Sequence, residues 1–236
     1  MKILVFTDLH GSLNALNALL QTEDYKTADK TIFLGDVTFG CSRANDCINL
    51  LNKENITCIL GNNDRYIVYN HIAEKEKHTF NDGKTKQMQY MLENISQDNK
   101  DIMKSWLMDL ELNIFGKTLY FTHYPWLDID TDPYASPCPE EHTLETVKPL
   151  FNGINADYII FGHEHKNYML EDQETTYYCI DTLGLKEPAN YLVIDCKENK
   201  FEFNCKHLNF DLDSEIILID KAGYPYDKNK VGKKEQ

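Results

Sequence analysis

Five short runs of β-branched, aliphatic and aromatic residues recur along the chain, and each stops abruptly at Gly or at a polar side chain able to hold a metal ion. Residues 3–7 run into Asp8, residues 31–34 into Gly35 and Asp36, and residues 57–60 into Gly61 and Asn62. Residues 118–122 then run into His123, and residues 158–161 into Gly162 and His163. Apolar runs of this length between turn signals predict buried strands. Between the first three lie residues 13–21 and 44–53, whose Leu, Ala and Ile spacing has the period of a helix with one apolar face, with Ser12 placed to cap the first. Strands alternating with helices predict βαβ units, parallel pairing and right-handed crossovers. In such α/β sheets ligands bind beyond the carboxyl ends of the strands, where all five polar endings fall.

Further on, residues 65–112 are polar with periodic apolar positions, and Ser96 can cap a helix carrying Met103, Trp106 and Leu107. Residues 124–141 contain four of the chain's seven prolines with Asp and aromatic residues, the composition of a long ordered loop beside a site. After His165 the runs 176–180, 191–194 and 201–205 are separated by short polar turns without helices, which predicts antiparallel pairing. Residues 223–236 are Lys-rich with few aliphatics and read as a solvated tail. Neither a repeat nor a linker interrupts the chain, so one domain over residues 1–210 is expected, followed by a C-terminal extension and Lys-rich tail over 211–236.

Charge and cysteine content narrow the chemistry. The formal net charge over 236 residues is −14. That balance argues against nucleic acid or an anionic membrane as a partner, and any bound anion needs locally concentrated positive charge. Seven cysteines without a CxxC pair read as free thiols in a reducing compartment. The apolar run at the N-terminus is too short for a signal segment, and no stretch approaches membrane-spanning length. A cytoplasmic location is therefore expected.

Taken singly, the polar endings are weak signals. Asp8-Leu9-His10 offers a carboxylate and an imidazole one residue apart, but such a pair more often bonds backbone groups at a helix start. Gly35-Asp36 adds a carboxylate that can bridge two ions, or simply an Asx turn. Asn62 offers a neutral amide oxygen, and His123 a strand-end imidazole. His163-Glu164-His165 is stronger, since two imidazoles with one spacer are a costly use of a turn unless they bind something. Four of the eight histidines fall at these strand ends. Coincidence at a single sheet edge is the poorer explanation, and a metal site the better one.

The ordered series Asp8-x-His10, Gly35-Asp36, Gly61-Asn62-x-Asp64, His123 and Gly162-His163-x-His165 resembles the calcineurin-like metallophosphoesterase superfamily over roughly residues 1 to 205. Asp8 to Ser12, Gly35 to Gly40, Asn62 to Arg65 and Asp181-Thr182-Leu183-Gly184 look like its small bacterial and archaeal phosphodiesterase-type branch. The Asp-Arg-Gly signature of the protein phosphatases and symmetric dinucleoside tetraphosphatases does not follow Asp36. The resemblance implies an α/β fold, a four-layer αββα sandwich of two mixed β-sheets flanked by helices. It also implies two divalent metal ions, manganese first, with iron or zinc as alternatives. Asp8, His10 and His165 would hold one ion, Asn62, His123 and His163 the other, with Asp36 bridging. Asn63, Asp64 and Arg65 are the candidate catalytic residues, and a small phosphorylated substrate, a nucleotide among the candidates, is the expected partner.

One position departs from the family pattern. Where the family usually carries His, in Gly-Asn-His-Asp or Glu, this chain has Asn63. An amide can donate a hydrogen bond to a phosphoryl oxygen but cannot deliver a proton, so a substrate whose leaving group needs little protonation is expected. His142 is a candidate replacement acid, and Arg65 a candidate phosphate clamp. Phosphodiester or nucleotide phosphoanhydride hydrolysis is the leading function; phosphomonoester or phosphoprotein hydrolysis and a non-catalytic metal-binding scaffold are the alternatives.

Overall fold

A computed structural model describes residues 1–72, 77, 80–125, 139–198, 200–226 and 231–233. The first half of the chain runs β1 (Lys2–Phe6), α1 (Leu13–Leu20), α2 (Glu23–Lys26), β2 (Lys30–Phe33), α3 (Ala44–Lys53), β3 (Thr57–Cys58), α4 (Asn62–Tyr69), α5 (Asp82–Asn94) and α6 (Gln97–Lys104). It continues through β4 (Asp109–Ile114), β5 (Lys117–Thr122), α7 (Leu144–Val147), β6 (Tyr158–Phe161), β7 (Tyr168–Glu171), β8 (Thr176–Cys179), β9 (Lys186–Glu187), β10 (Ala189–Lys197), β11 (Lys200–Leu208), α8 (Leu212–Ala222) and β12 (Gly232–Lys233).

Two mixed five-stranded sheets, ordered β11-β10-β1-β2-β3 and β4-β5-β6-β8-β7, stack face to face between helices. The alternation within β1 explains the layering. Leu4 and Phe6 join the apolar layer shared with Leu16 and Leu19 of α1, Ile48 and Leu51 of α3 and Ile219 of α8. Ile3 and Val5 point the other way, into a layer shared with Leu119, Phe121 and Ile160 of the second sheet. That sheet's outer face, with Tyr120, Ile159 and Phe161, is covered by Val147 of α7 and by Phe151. A strand covered on both faces reads as an unbroken apolar run, which is why β1, β2, β5 and β6 were legible. Each fully buried Phe or Leu contributes about 1.5–3 kcal/mol to holding these layers together.

Several expectations need correction. β8 does pair antiparallel with β7, but it lies parallel to β6 on its other side. The strands after His165 are thus not an all-antiparallel set. Ser96 caps α6, accepting from the Asn99 N–H at 3.2 Å. Ser12 occupies the N-cap position of α1 without a side-chain capping bond; its hydroxyl donates instead to Glu215 of α8 at 3.3 Å. The same buried carboxylate accepts from Arg43 Nη2 at 2.5 Å and from the Asn14 N–H at 3.1 Å, which ties α8 to α1. The segment expected to be a solvated tail also packs. Tyr224 is buried with its ring edge-on to Tyr90 at 5.0 Å, and Val231 is 3% exposed. There Gly232 and Lys233 pair parallel to β9. The long loop expected over residues 124–141 falls mostly outside the described residues.

Candidate metal centre

The loops that follow β1, β2, β5 and β6, together with the start of α4, meet at one edge of the sandwich. Asp8, His10, Asp36, Asn62, Asn63 and His123 are all buried there, and His163 and His165 are half-buried. Oxygen and nitrogen atoms of Asp8, His10 and His165 lie within 4.8 Å of one another, as do those of Asp8, Asp36 and His123. His163 Nδ1 and His123 Nε2 approach Asn62 Oδ1 at 3.0 and 3.1 Å. All seven expected ligand residues are therefore brought together.

Local backbone geometry is unusual at these positions. Asp8, His10, Asp36, His163 and His165 have φ of 54°, 50°, 62°, 70° and 52°, the left-handed region that L-residues other than Gly avoid. Each such residue costs of order 1–3 kcal/mol, and such strain collects at functional sites. The turns are held by long-range bonds, including Asp8 N–H to Gly35 O at 2.9 Å, His10 N–H to Asp36 O at 2.8 Å and Thr182 Oγ1 to Asp8 O at 2.7 Å.

Around the ligands a shell of bonds fixes which atoms face inward. His10 and His123 donate Nδ1–H to the carbonyls of Thr38 and Leu34, each at 3.0 Å. That leaves each Nε2 directed at the site, as in metal-binding histidines oriented by a carbonyl. The Thr7 hydroxyl and the His163 N–H hold Asp8 Oδ2 at 2.7 and 3.0 Å, leaving Oδ1 to face His165 Nε2 at 3.1 Å. Asn63 donates its backbone N–H to Asp36 Oδ1 at 2.9 Å and its amide to Asp36 Oδ2.

Crowding sets the protonation pattern. Burial disfavours charge on Asp8, yet the imidazoles of His165 and His123 hold its carboxyl well below the usual range. Burial likewise opposes charge on His123, but Asp36 and Asp8 push it up to about 9. His163 goes the other way, driven down to about 3 by burial and by the neighbouring His123. A cluster of two carboxylates and four imidazoles with such divided preferences has the charge pattern of a cation-binding donor set.

A model of the family described as calcineurin-like phosphoesterase matches residues 1–167. The chain belongs to that family. It is 26% identical over 222 residues to an uncharacterized protein of Methanocaldococcus jannaschii, covering 85% of each. By structure it is similar to a hypothetical protein of Pyrococcus horikoshii OT3, with TM-score 0.77 and 14% identity over 98% of this chain and 96% of that one. It is also similar to a metallophosphoesterase of Sphaerobacter thermophilus, with TM-score 0.69 and 16% identity over 95% of each chain. These likenesses establish the αββα sandwich as the fold.

Family members typically bind two divalent metal ions, and the residues here fit that role. With Nδ1–H committed to Leu34 O, a neutral His123 points its Nε2 lone pair at Asn62 Oδ1, an opposition that a proton or a metal cation relieves. The mixed imidazole, carboxylate and amide set suits first-row divalent ions.

The three candidate catalytic residues separate. Asn63 lines a cleft of about 660 Å³ together with His10 and His165. Asp64 and Arg65 do not line that cleft. Asp64 accepts from the N–H groups of Asp36, Val37, Thr38 and Gly61 and from the Thr38 hydroxyl, at 2.8–3.1 Å. With its oxygens so occupied, Asp64 is a positioning residue for the Asp36 loop. Arg65 is fully buried, its guanidinium 5.3 Å from the Tyr124 ring centroid, which fits neither a phosphate clamp in the cleft nor a surface residue. His142 stacks on Tyr168 at 4.9 Å and stands 3.4 Å from Glu164, and it too is absent from the described cleft lining. The roles of Thr7 and Thr38 were not legible in the sequence: Thr7 bonds the adjacent Asp8, a contact that no local pattern marks, and the partners of Thr38, His10 and Asp64, are distant in the chain. No helix of the described residues is long and apolar enough to cross a membrane.

Proposed function

We propose that this chain is a cytoplasmic phosphohydrolase acting on phosphodiester or nucleotide phosphoanhydride bonds. The supporting observation is the meeting of Asp8, His10, Asp36, Asn62, His123, His163 and His165 at a single rim, all but Asn62 and His123 on strained turns, with Nε2 of both His10 and His123 turned inward by carbonyl partners. Asp8, His10 and His165 would hold one divalent ion, and Asn62, His123 and His163 the other, with Asp36 between. Manganese is the first candidate, ahead of iron and zinc. Such a pair supplies a water acidified towards neutrality and a positive clamp for phosphoryl oxygens.

The chain's own residues do the positioning. Thr7 and the His163 N–H fix one Asp8 oxygen so that the other faces the rim. Asn63 aligns Asp36 through two bonds and brings no transferable proton to the leaving group. Half-buried His165 lines the cleft, the side from which a phosphate would enter.

Reconstitution with manganese, iron or zinc, followed by assay on a bis-aryl phosphate, an aryl phosphate, dinucleoside polyphosphates and cyclic dinucleotides, tests this. The expected result is metal-dependent hydrolysis that disappears in Asp36→Asn. Activity persisting in that variant, or a metal-replete protein inert on every class, overturns it.

A further inference from the structure

The run Asp181-Thr182-Leu183-Gly184, just after β8, supplies no ligand to the candidate metal centre, yet it lies against the turn that carries Asp8 and His10. Asp8 O accepts from the Thr182 hydroxyl at 2.7 Å and from the Gly184 N–H at 3.1 Å. The Leu183 N–H donates to Thr7 O at 3.0 Å. Donors from three consecutive residues thus grip two consecutive carbonyls. The two backbones touch: a β-carbon on Gly184 would run into the carbonyl oxygen of Leu9, the residue between the two ligands.

Thr182 is fixed from behind as well. It is fully buried, and its N–H donates to Asp181 Oδ1 at 2.8 Å. The other Asp181 oxygen accepts from the Asn190 amide of β10 at 3.0 Å, and Asn190 Oδ1 accepts from His207 Nδ1 of β11 at 2.7 Å. A chain of bonds therefore runs from two long strands to the Asp8 turn. That turn needs a grip from outside, because Asp8 and His10 have φ of 54° and 50°, against the steric preference of residues other than Gly. The loops carrying Asp36 and Asn62 are anchored elsewhere, by Asp64.

We propose that Thr182 is a positioning residue for one half of the metal centre. Its hydroxyl, aimed by Asp181, holds Asp8 and His10 where they meet His165, and so sets the affinity for the ion of that half alone. This rests on the two-ion reading proposed above. Thr182 acts through the Asp8 backbone and touches neither ion nor substrate.

Manganese titrations of the full chain, with free ion read by electron paramagnetic resonance, compare the parent, Thr182→Val and Thr182→Ser. Valine keeps the shape and removes the donor, whereas serine keeps the donor. The parent should bind two ions. Thr182→Val should weaken one of them by about 10- to 100-fold, the range for a ligand that loses its supporting partner, with Thr182→Ser within about twofold of the parent. In His165→Ala, which keeps the ion of the other half, adding Thr182→Val should leave the remaining affinity unchanged. Equal weakening of both ions marks a general loosening of the fold and overturns the inference. Two ions held by Thr182→Val at parental affinity overturn it too and leave the two-ion reading standing. A parent that binds no manganese overturns that reading and this inference with it. If Thr182→Val does not fold, Thr182→Ser decides: parental affinity there supports the role of the hydroxyl, and weakened binding overturns it.

Discussion

His10 Nε2 and His165 Nε2 face each other at 3.0 Å across 155 positions of sequence. Both sit on left-handed turns, and both lie beside Asp8 Oδ1, at 3.5 and 3.1 Å. Three donors converging this closely mark one half of the candidate metal centre. Replacing His165 with Ala removes a donor from that half alone. The variant should retain one divalent ion in place of two after dialysis, as measured by elemental analysis, with its far-ultraviolet dichroism unchanged.

Metal uptake should depend steeply on pH. The carboxylates around His123 raise its pKa in the metal-free protein to about 9, so at neutral pH this ring carries a proton that a cation must displace. Affinity should therefore rise with pH, by up to about tenfold per unit for each proton displaced, until pH passes about 9. The sign follows from competition: protons favour the empty site, and their loss favours the ion. Calorimetric titration in buffers of different ionisation enthalpy at pH 7 should detect at least one proton released per protein, and a pH-independent affinity would contradict the assignment.

Asp64 is surrounded by five donors, four of them backbone N–H groups on the loops that carry Asp36 and Asn62. Asp64→Asn replaces one accepting oxygen with an NH2 that faces donors. Loss of about 1–3 kcal/mol in chemical denaturation is expected, the usual penalty for unsatisfied buried donors. Metal affinity should fall with it, since the loop holding Asp36 loses its anchor.

Gly61 has ordinary backbone angles, and its requirement is for space. A β-carbon there would run into Asp36 Oδ1 and the Asp36 backbone nitrogen. Gly61→Ala should displace the carboxylate placed between the two ions and abolish paired metal binding in elemental analysis. An alanine variant that still holds two ions would rule out a bridging position for Asp36.

Asn63→His should restore a proton donor beside the leaving group. Against an alkyl phosphodiester, which leaves poorly, the rate should rise by a factor towards about 10²–10⁴, and against an aryl ester much less. Steady-state rates on the two ester classes decide it, and equal response on both would sink the leaving-group argument.

Strand-forming runs, the α/β class and the seven candidate ligands were legible from sequence because each depends on local chemistry: apolar runs between turn residues, and metal-binding side chains where those runs stop. β1 and β6 read clearly because both their faces are buried. β4 was harder, because Asp109 to Leu112, where polar and apolar residues alternate, fall at the end of the periodic stretch 65–112, in which the sequence offered a helix and no strand.

Tertiary structure alone decided the roles within the candidate site. That Asp64 serves the Asp36 loop and that Arg65 is buried over Tyr124 both depend on partners distant in sequence. The packing of Tyr224 and Val231 was hidden for a similar reason: their segment is polar on average, and burial is settled by the few side chains that meet a surface formed elsewhere. Local sequence sets which atoms are available to bind and which segments can be strands, because those are properties of side chains and short-range sterics. Which donors face inward is fixed only when distant loops supply the hydrogen bonds that aim them.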